Sequence, residues 1–159
     1  MEYAFLNKKE NWHALVYASL AFILPFLFNH PQWIVGTAVN MLLVLGAYSL
    51  PWKKIWPIII LPSMGAMASG IVFGPMSYLL LYMIPFIWAG NALFVLMLKK
   101  LNGKAILAPV GKAGMIFAGS AVLFYLGLVP AAFLVAMGPM QLLTAFGGLG
   151  AAHLVRRII

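Results

Sequence analysis

Long apolar stretches separated by short polar breaks run the whole length of this chain. Trp12 to Phe28, Trp33 to Leu50, Ile55 to Gly74, Met76 to Leu98, Ala113 to Leu128 and Ala131 to Val155 each approach the roughly 20 residues that a helix needs to cross a bilayer. Such runs predict helices, because a spanning helix satisfies every backbone polar group within itself. The expected fold is therefore all-α, a six-transmembrane-helix bundle forming a single domain over residues 1–159. Neither an internal repeat nor a low-complexity linker divides it. Ahead of the first run, Met1 to Asn11 holds both acids of the protein, Glu2 and Glu10, and reads as an amphipathic lead-in at the membrane surface. That first run has the layout of a signal peptide but lacks a small-x-small cleavage site and continues through Pro25 into bulky residues, so it is expected to stay as the first helix.

The charges change this picture from a count of helices to a topology. Lys and Arg fall in four clusters, Lys8-Lys9, Lys53-Lys54, Lys99 to Lys112 and Arg156-Arg157, while the alternate breaks, Asn29 to Gln32, Gly74-Pro75 and Gly127 to Pro130, carry no charge. The positive-inside bias then places all ten basic residues, and both termini, on the cytoplasmic side of a cell membrane. With 65% hydrophobic residues and a mean hydropathy of +1.04, the 159 residues have too little polar surface for a soluble globule. The net charge of +8 suits anionic lipid headgroups beside the spans. No basic face with interleaved aromatics exists outside them, so nucleic acid is not an expected partner.

The absent residue types narrow the chemistry. With no cysteine, disulfides and thiolate sites are excluded. With no Asp or Glu in any span, a carboxylate proton relay or a paired-carboxylate hydrolase has no groups to use, and the histidines lie at span ends; the chain is not expected to be an enzyme. Six methionines, Met64, Met67, Met76, Met83, Met137 and Met140, lie in or near the outer halves. They form no tight array with a histidine and read as gap-filling side chains, so neither a metal nor a cofactor is expected. Uncharged polar groups remain, and in hydrocarbon these should face the bundle interior. Asn40 on span 2, Trp88 and Asn91 on one face of span 4 with Ser77 and Ile84, and Gln141 on span 6 with Thr144 are candidates to line a substrate pocket. His30 and Gln32 on the first outside turn are candidate lid or ligand contacts. Each also has a plainer use, as a hydrogen bond between helices, core packing or loop. Gly138-Pro139 is expected to kink span 6.

Small residues mark close helix contacts. Gly65, Ala66, Ala68, Ser69 and Gly70 on span 3, and Gly147, Gly148, Gly150, Ala151 and Ala152 on span 6, are expected packing seams. On span 1, Ala14 and Ala18 form an A-x-x-x-A surface that Ala21 continues. Together with six spans, cytoplasmic termini, Gly74-Pro75 opening span 4 and the ending Gly-Ala-Ala-His-Leu-Val-Arg156-Arg157, this resembles the S components of energy-coupling factor transporters. The resemblance implies a receptor that captures a vitamin-like small molecule from outside. It would dock through Ala14, Ala18 and Ala21 on a coupling transmembrane subunit driven by ATPase subunits. It would leave ATP chemistry to those partners, in keeping with the lack of a G-x-x-x-x-G-K-[ST] motif here. With no charge placed in the pocket, the expected substrate is neutral, flat or partly apolar. The alternative is a non-catalytic anchor or scaffold subunit of a larger membrane complex.

Overall fold

The computed structural model describes residues 2–28, 32–71, 74–101 and 105–158. Among them the chain forms seven α-helices and no strand: α1 (Glu2–Leu27), α2 (Gln32–Ser49), α3 (Trp52–Ser69), α4 (Leu80–Lys100), α5 (Ala108–Tyr125), α6 (Ala132–Met137) and α7 (Pro139–Ile158). Short 3-10 turns, Gly74–Leu79 and Ala105–Leu107, lead into α4 and α5. Four segments are long and apolar enough to cross a membrane, Gln32–Ser49, Gly74–Lys100, Ala105–Tyr125 and Ala132–Arg157, which is the make-up of a multi-pass membrane protein.

The first helix begins at Glu2 and so takes in the expected lead-in, and the fifth and sixth spans each depart from a plain helix of the expected bounds for a local reason. The fifth helix starts at Ala108 rather than Ala113, because Pro109 sits in its first turn, where the missing N–H costs nothing and the fixed φ favours a helix. Read as a breaker, Pro109 ends a loop; here it opens a helix. The sixth span breaks at the Gly138-Pro139 step, where a kink is expected, into two helices, α6 and α7. A Cβ on Gly138 would stand 2.6 Å from the Phe117 ring and 2.9 Å from the Leu134 carbonyl oxygen, so the break depends on glycine as well as on the proline after it.

Three contacts gather the basic clusters at one end of the bundle. The Lys54 ammonium donates to Glu10 at 2.8 Å, joining α3 to α1. Lys99 donates to the Leu50 carbonyl at 2.7 Å, joining the ends of α4 and α2, and the Arg156 guanidinium stands over the Tyr48 ring at 4.2 Å, joining α7 to α2. Partly exposed, these pairs contribute little stability. Their value is as markers that four helix ends lie on one side.

The interior packs in two parts. A larger cluster around Leu43, Val44, Ile55, Ile58, Ile59, Phe94 and Val95 fills the half nearer the basic end. A smaller one, around Met83, Ile116, Phe133 and Met137, joins α4, α5 and α6 in the other half. The small-residue seams work inside the chain. Gly65 on α3 lies against the backbone of Phe22 on α1, and Gly148 on α7 against Asn40 and the backbone of Met41 on α2, so close that a Cβ at either site would overlap its neighbour.

The same packing takes in the small residues of span 1. Ala21 is wholly buried, Ala18 is buried, and both belong to the larger core cluster, while half-buried Ala14 packs against it. Ala18 and Ala21 are covered by this chain's own helices, which leaves them no surface for a partner. The exposed stripe of α1 is instead bulky, with Trp12, Leu15, Ile23 and Leu27 turned outward.

Replacing Gly148 by Leu should force α2 and α7 apart and lower the unfolding temperature in detergent, with a loss of about 1–3 kcal/mol or more from overpacking. At Gly150 a Cβ meets nothing. Gly150→Ala should leave the unfolding temperature unchanged, and an equal loss in both variants would refute the seam.

Candidate functional site

A cavity of about 130 Å³ lies where the helices converge. Its wall takes residues from every helix: Pro25 of α1, Gly36 and Asn40 of α2, Pro62 and Ser63 of α3, Asn91 of α4, Lys112 of α5, Met137 of α6, and Gln141 and Thr144 of α7. The rim lies at Gln32 and Trp33, at the start of α2 and therefore away from the basic end. The inner end is formed by Asn40, Asn91, Lys112 and Thr144. One turn further along α2 and α4, Leu43, Phe94 and Val95 are fully buried. This plug closes the way toward the basic end.

Lys112 is the feature the sequence reading missed. Grouped with Lys99 and its neighbours, it was expected in a cytoplasmic loop; instead it is on α5, 2% exposed, and the one buried charged residue among those described. Its carbonyl lies beside Gly90, ten residues before the end of α4, roughly 15 Å of helix at about 1.5 Å per residue. The earlier start of α5 is what carries it there, since Ala108, Lys112, Ile116, Gly119 and Leu123 fall on one buried stripe. That stripe was the available signal. The expectation of a pocket lined by no basic or acidic side chain is overturned.

Lys112 Nζ donates to Asn40 Oδ1 at 2.5 Å and stands 5.5 Å from the centre of the Phe94 ring. Asn40 Nδ2 in turn donates to Thr144 Oγ1 at 3.2 Å, and Thr144 Oγ1 donates to the Gln141 carbonyl at 3.2 Å. This chain of bonds ties α5 to α2 and α7. An ammonium has three donors and prefers a carboxylate, yet the acids of the whole chain are Glu2 and Glu10, and Glu10 is held by Lys54. Desolvating an ammonium costs several kcal/mol. One charge-assisted hydrogen bond returns about 1.5–3 kcal/mol, so the arrangement is poorly explained as a stability device.

A second set of bonds fixes the α3–α4 side. Trp88 Nε1 donates to Ser63 Oγ at 2.8 Å, and Ser63 Oγ donates to the Ile60 carbonyl at 2.9 Å. Asn91 Nδ2 donates to the Ile59 carbonyl at 3.0 Å, which leaves Asn91 Oδ1 buried with no partner among the described residues. A buried acceptor without a donor is uncommon and costs roughly 1–3 kcal/mol.

Of the residues singled out from sequence, Asn40, Asn91, Gln141 and Gln32 line this one cavity. Trp88 stands behind the wall and acts through Ser63. His30 lies outside the described residues. Lys112 and Ser63 were not foreseen as site residues, while Thr144 was placed on the face of Gln141 and lines the cavity with it. Comparison of the chain with protein-family models, with curated proteins and with solved structures gives no match.

Asn40→Leu should destabilise the protein by about 3 kcal/mol, because it strips a buried ammonium of its acceptor. Adding Lys112→Met to Asn40→Leu should recover most of that loss. Thermal unfolding of the wild type, both single variants and the double variant gives the coupling; additive effects would show that the two side chains do not depend on each other.

Proposed function

We propose that this chain is the substrate-binding subunit of a membrane uptake system, a receptor that takes one small molecule into a dead-end cavity. The observation that carries the reading is the cavity itself, which every helix lines, with Asn40, Asn91, Lys112 and Thr144 at its closed inner end. A few converging polar points in a largely apolar wall are the usual form of a small-molecule site. A scaffold subunit has no use for an unpaired buried acceptor and a buried amine at the same place, and a pore would need a polar path where Leu43, Phe94 and Val95 are packed.

In this reading the chain makes six passes, α6 and α7 together forming the last, with both termini and the basic end in the cytoplasm and the rim of the cavity open to the outside. Five long helices with one broken sixth, a substrate site near the outer side and no nucleotide motif of its own remain the layout of an energy-coupling factor S component. Uptake of a vitamin-like micronutrient across the cell membrane would then draw on a coupling transmembrane subunit and its ATPases. Docking through Ala18 and Ala21 is not part of the proposal, since those side chains hold α1 to its own bundle.

Protein purified in mild detergent should release a stoichiometric organic compound on denaturation, identified by mass spectrometry. Adding that compound back at a hundred times its Kd should raise stability by about 2.7 kcal/mol. Asn91→Leu and Gln141→Leu should weaken this effect while unfolding cooperatively without ligand. Well-folded protein that neither carries nor responds to any compound would move the assignment to a scaffold.

A further inference from the structure

The charge balance of the cavity goes one step beyond the receptor reading, on which it rests. We infer that the occupant is a small monocarboxylate that also carries an N–H or O–H donor, with the Lys112 ammonium as its counter-ion and Asn91 Oδ1 as the acceptor of its donor.

Three observations converge on this class. The first is the missing negative charge: Lys112 is almost fully buried, donates to one neutral amide, and lies in a chain that has no Asp or Glu after Glu10. A ligand carboxylate is the group that would complete it, and once water is excluded the attraction is far stronger than at a surface. The second is the first turn of α7. Met140 and Gln141 line the cavity just after Pro139 opens this 20-residue helix, so the positive end of its dipole lies at the cavity wall. The third is Asn91, a residue of the cavity wall, which spends its amide donor on the Ile59 carbonyl and keeps a buried oxygen without a partner among the described residues. An anion alone leaves that oxygen unsatisfied; a ligand N–H or O–H satisfies it.

Size and charge count restrict the class further. At about 130 Å³ the space is close to the roughly 150 Å³ that accommodates a benzene-sized molecule. It suits a single ring or a short branched chain. One lysine without an arginine fork matches a singly charged carboxylate better than a phosphate, whose recognition favours several donors and a second positive charge.

Two measurements test this on the purified full-length protein. In the first, the compound released on denaturation is classified by charge. In the second, thermal shifts are recorded with pyrrole-2-carboxylate, benzoate and pyrrole-2-carboxamide, on the wild type and on Lys112→Met, Lys112→Arg and Asn91→Leu. The inference expects a released acid, and pyrrole-2-carboxylate binding better than the carboxamide by roughly ten- to a hundredfold. That preference should vanish in Lys112→Met and persist in part in Lys112→Arg, while Asn91→Leu should erase the advantage of pyrrole-2-carboxylate over benzoate. A released neutral or cationic compound overturns the inference and leaves the receptor reading standing, as does equal binding of acid and amide. A protein that releases nothing and shifts with no probe counts against both. If Lys112→Met fails to fold, the charge of the released compound and the wild-type preference between acid and amide still decide.

Discussion

A primary amine enclosed in a helical bundle whose sequence has no Asp or Glu after Glu10 is the constraint around which this structure is arranged. Burial of Lys112 makes an acceptor obligatory, and Asn40 supplies it from α2; the same amide then reaches Thr144 on α7. Three helices are thereby brought into register by one polar chain, at the depth where apolar packing alone would let them slide. Between helices surrounded by lipid the hydrophobic effect gives no preference for one register over another, so hydrogen bonds and close steric fit take that part.

The glycine seams and the polar chain support each other. Gly148 permits the close approach of α7 to Asn40, and Gly36 faces Thr144 across the same contact. Thr144 can accept from Asn40 because the helices meet at this distance; with a Cβ at position 148 the two backbones would stand apart and the bond would be lost. On the other side, Gly65 seats α3 on α1. From there α3 offers Ser63 and the Ile59 carbonyl to Trp88 and Asn91. The cavity is what remains between these two tightly packed pairs, above the plug of Leu43, Phe94 and Val95. Its polar inner end and apolar wall are thus consequences of where close contact was possible.

Much of the site was legible residue by residue. A polar side chain in hydrocarbon must turn inward, and this rule alone selected Asn40, Asn91 and Gln141, which the fold brings to one cavity together with Gln32 of the first outside turn. The rule was not applied to Lys112, because a lysine near a run of basic residues is more often at the headgroups than inside. Pro109 decided the matter: as a helix opener rather than a stop, it moves the start of α5 and turns Lys112 onto the stripe of Ile116 and Leu123. Ala14, Ala18 and Ala21 show what a stripe leaves open. A small-residue stripe says that something lies close, and for Ala18 and Ala21 the chain's own core does so.

Hydropathy, the spacing of lysines and arginines, and the absence of acids from the apolar runs determined by themselves that the chain is a helical membrane protein with its basic ends together, because those properties depend on composition along the chain and on the bilayer as solvent. What only the tertiary structure decided is which small residues pair, where α5 begins, how α6 and α7 part at Gly138, and that a lysine lies at the floor of a cavity. Those outcomes depend on contacts between helices far apart in sequence, where a fraction of an ångström at a glycine or one shared hydrogen bond selects among arrangements of equal hydrophobicity.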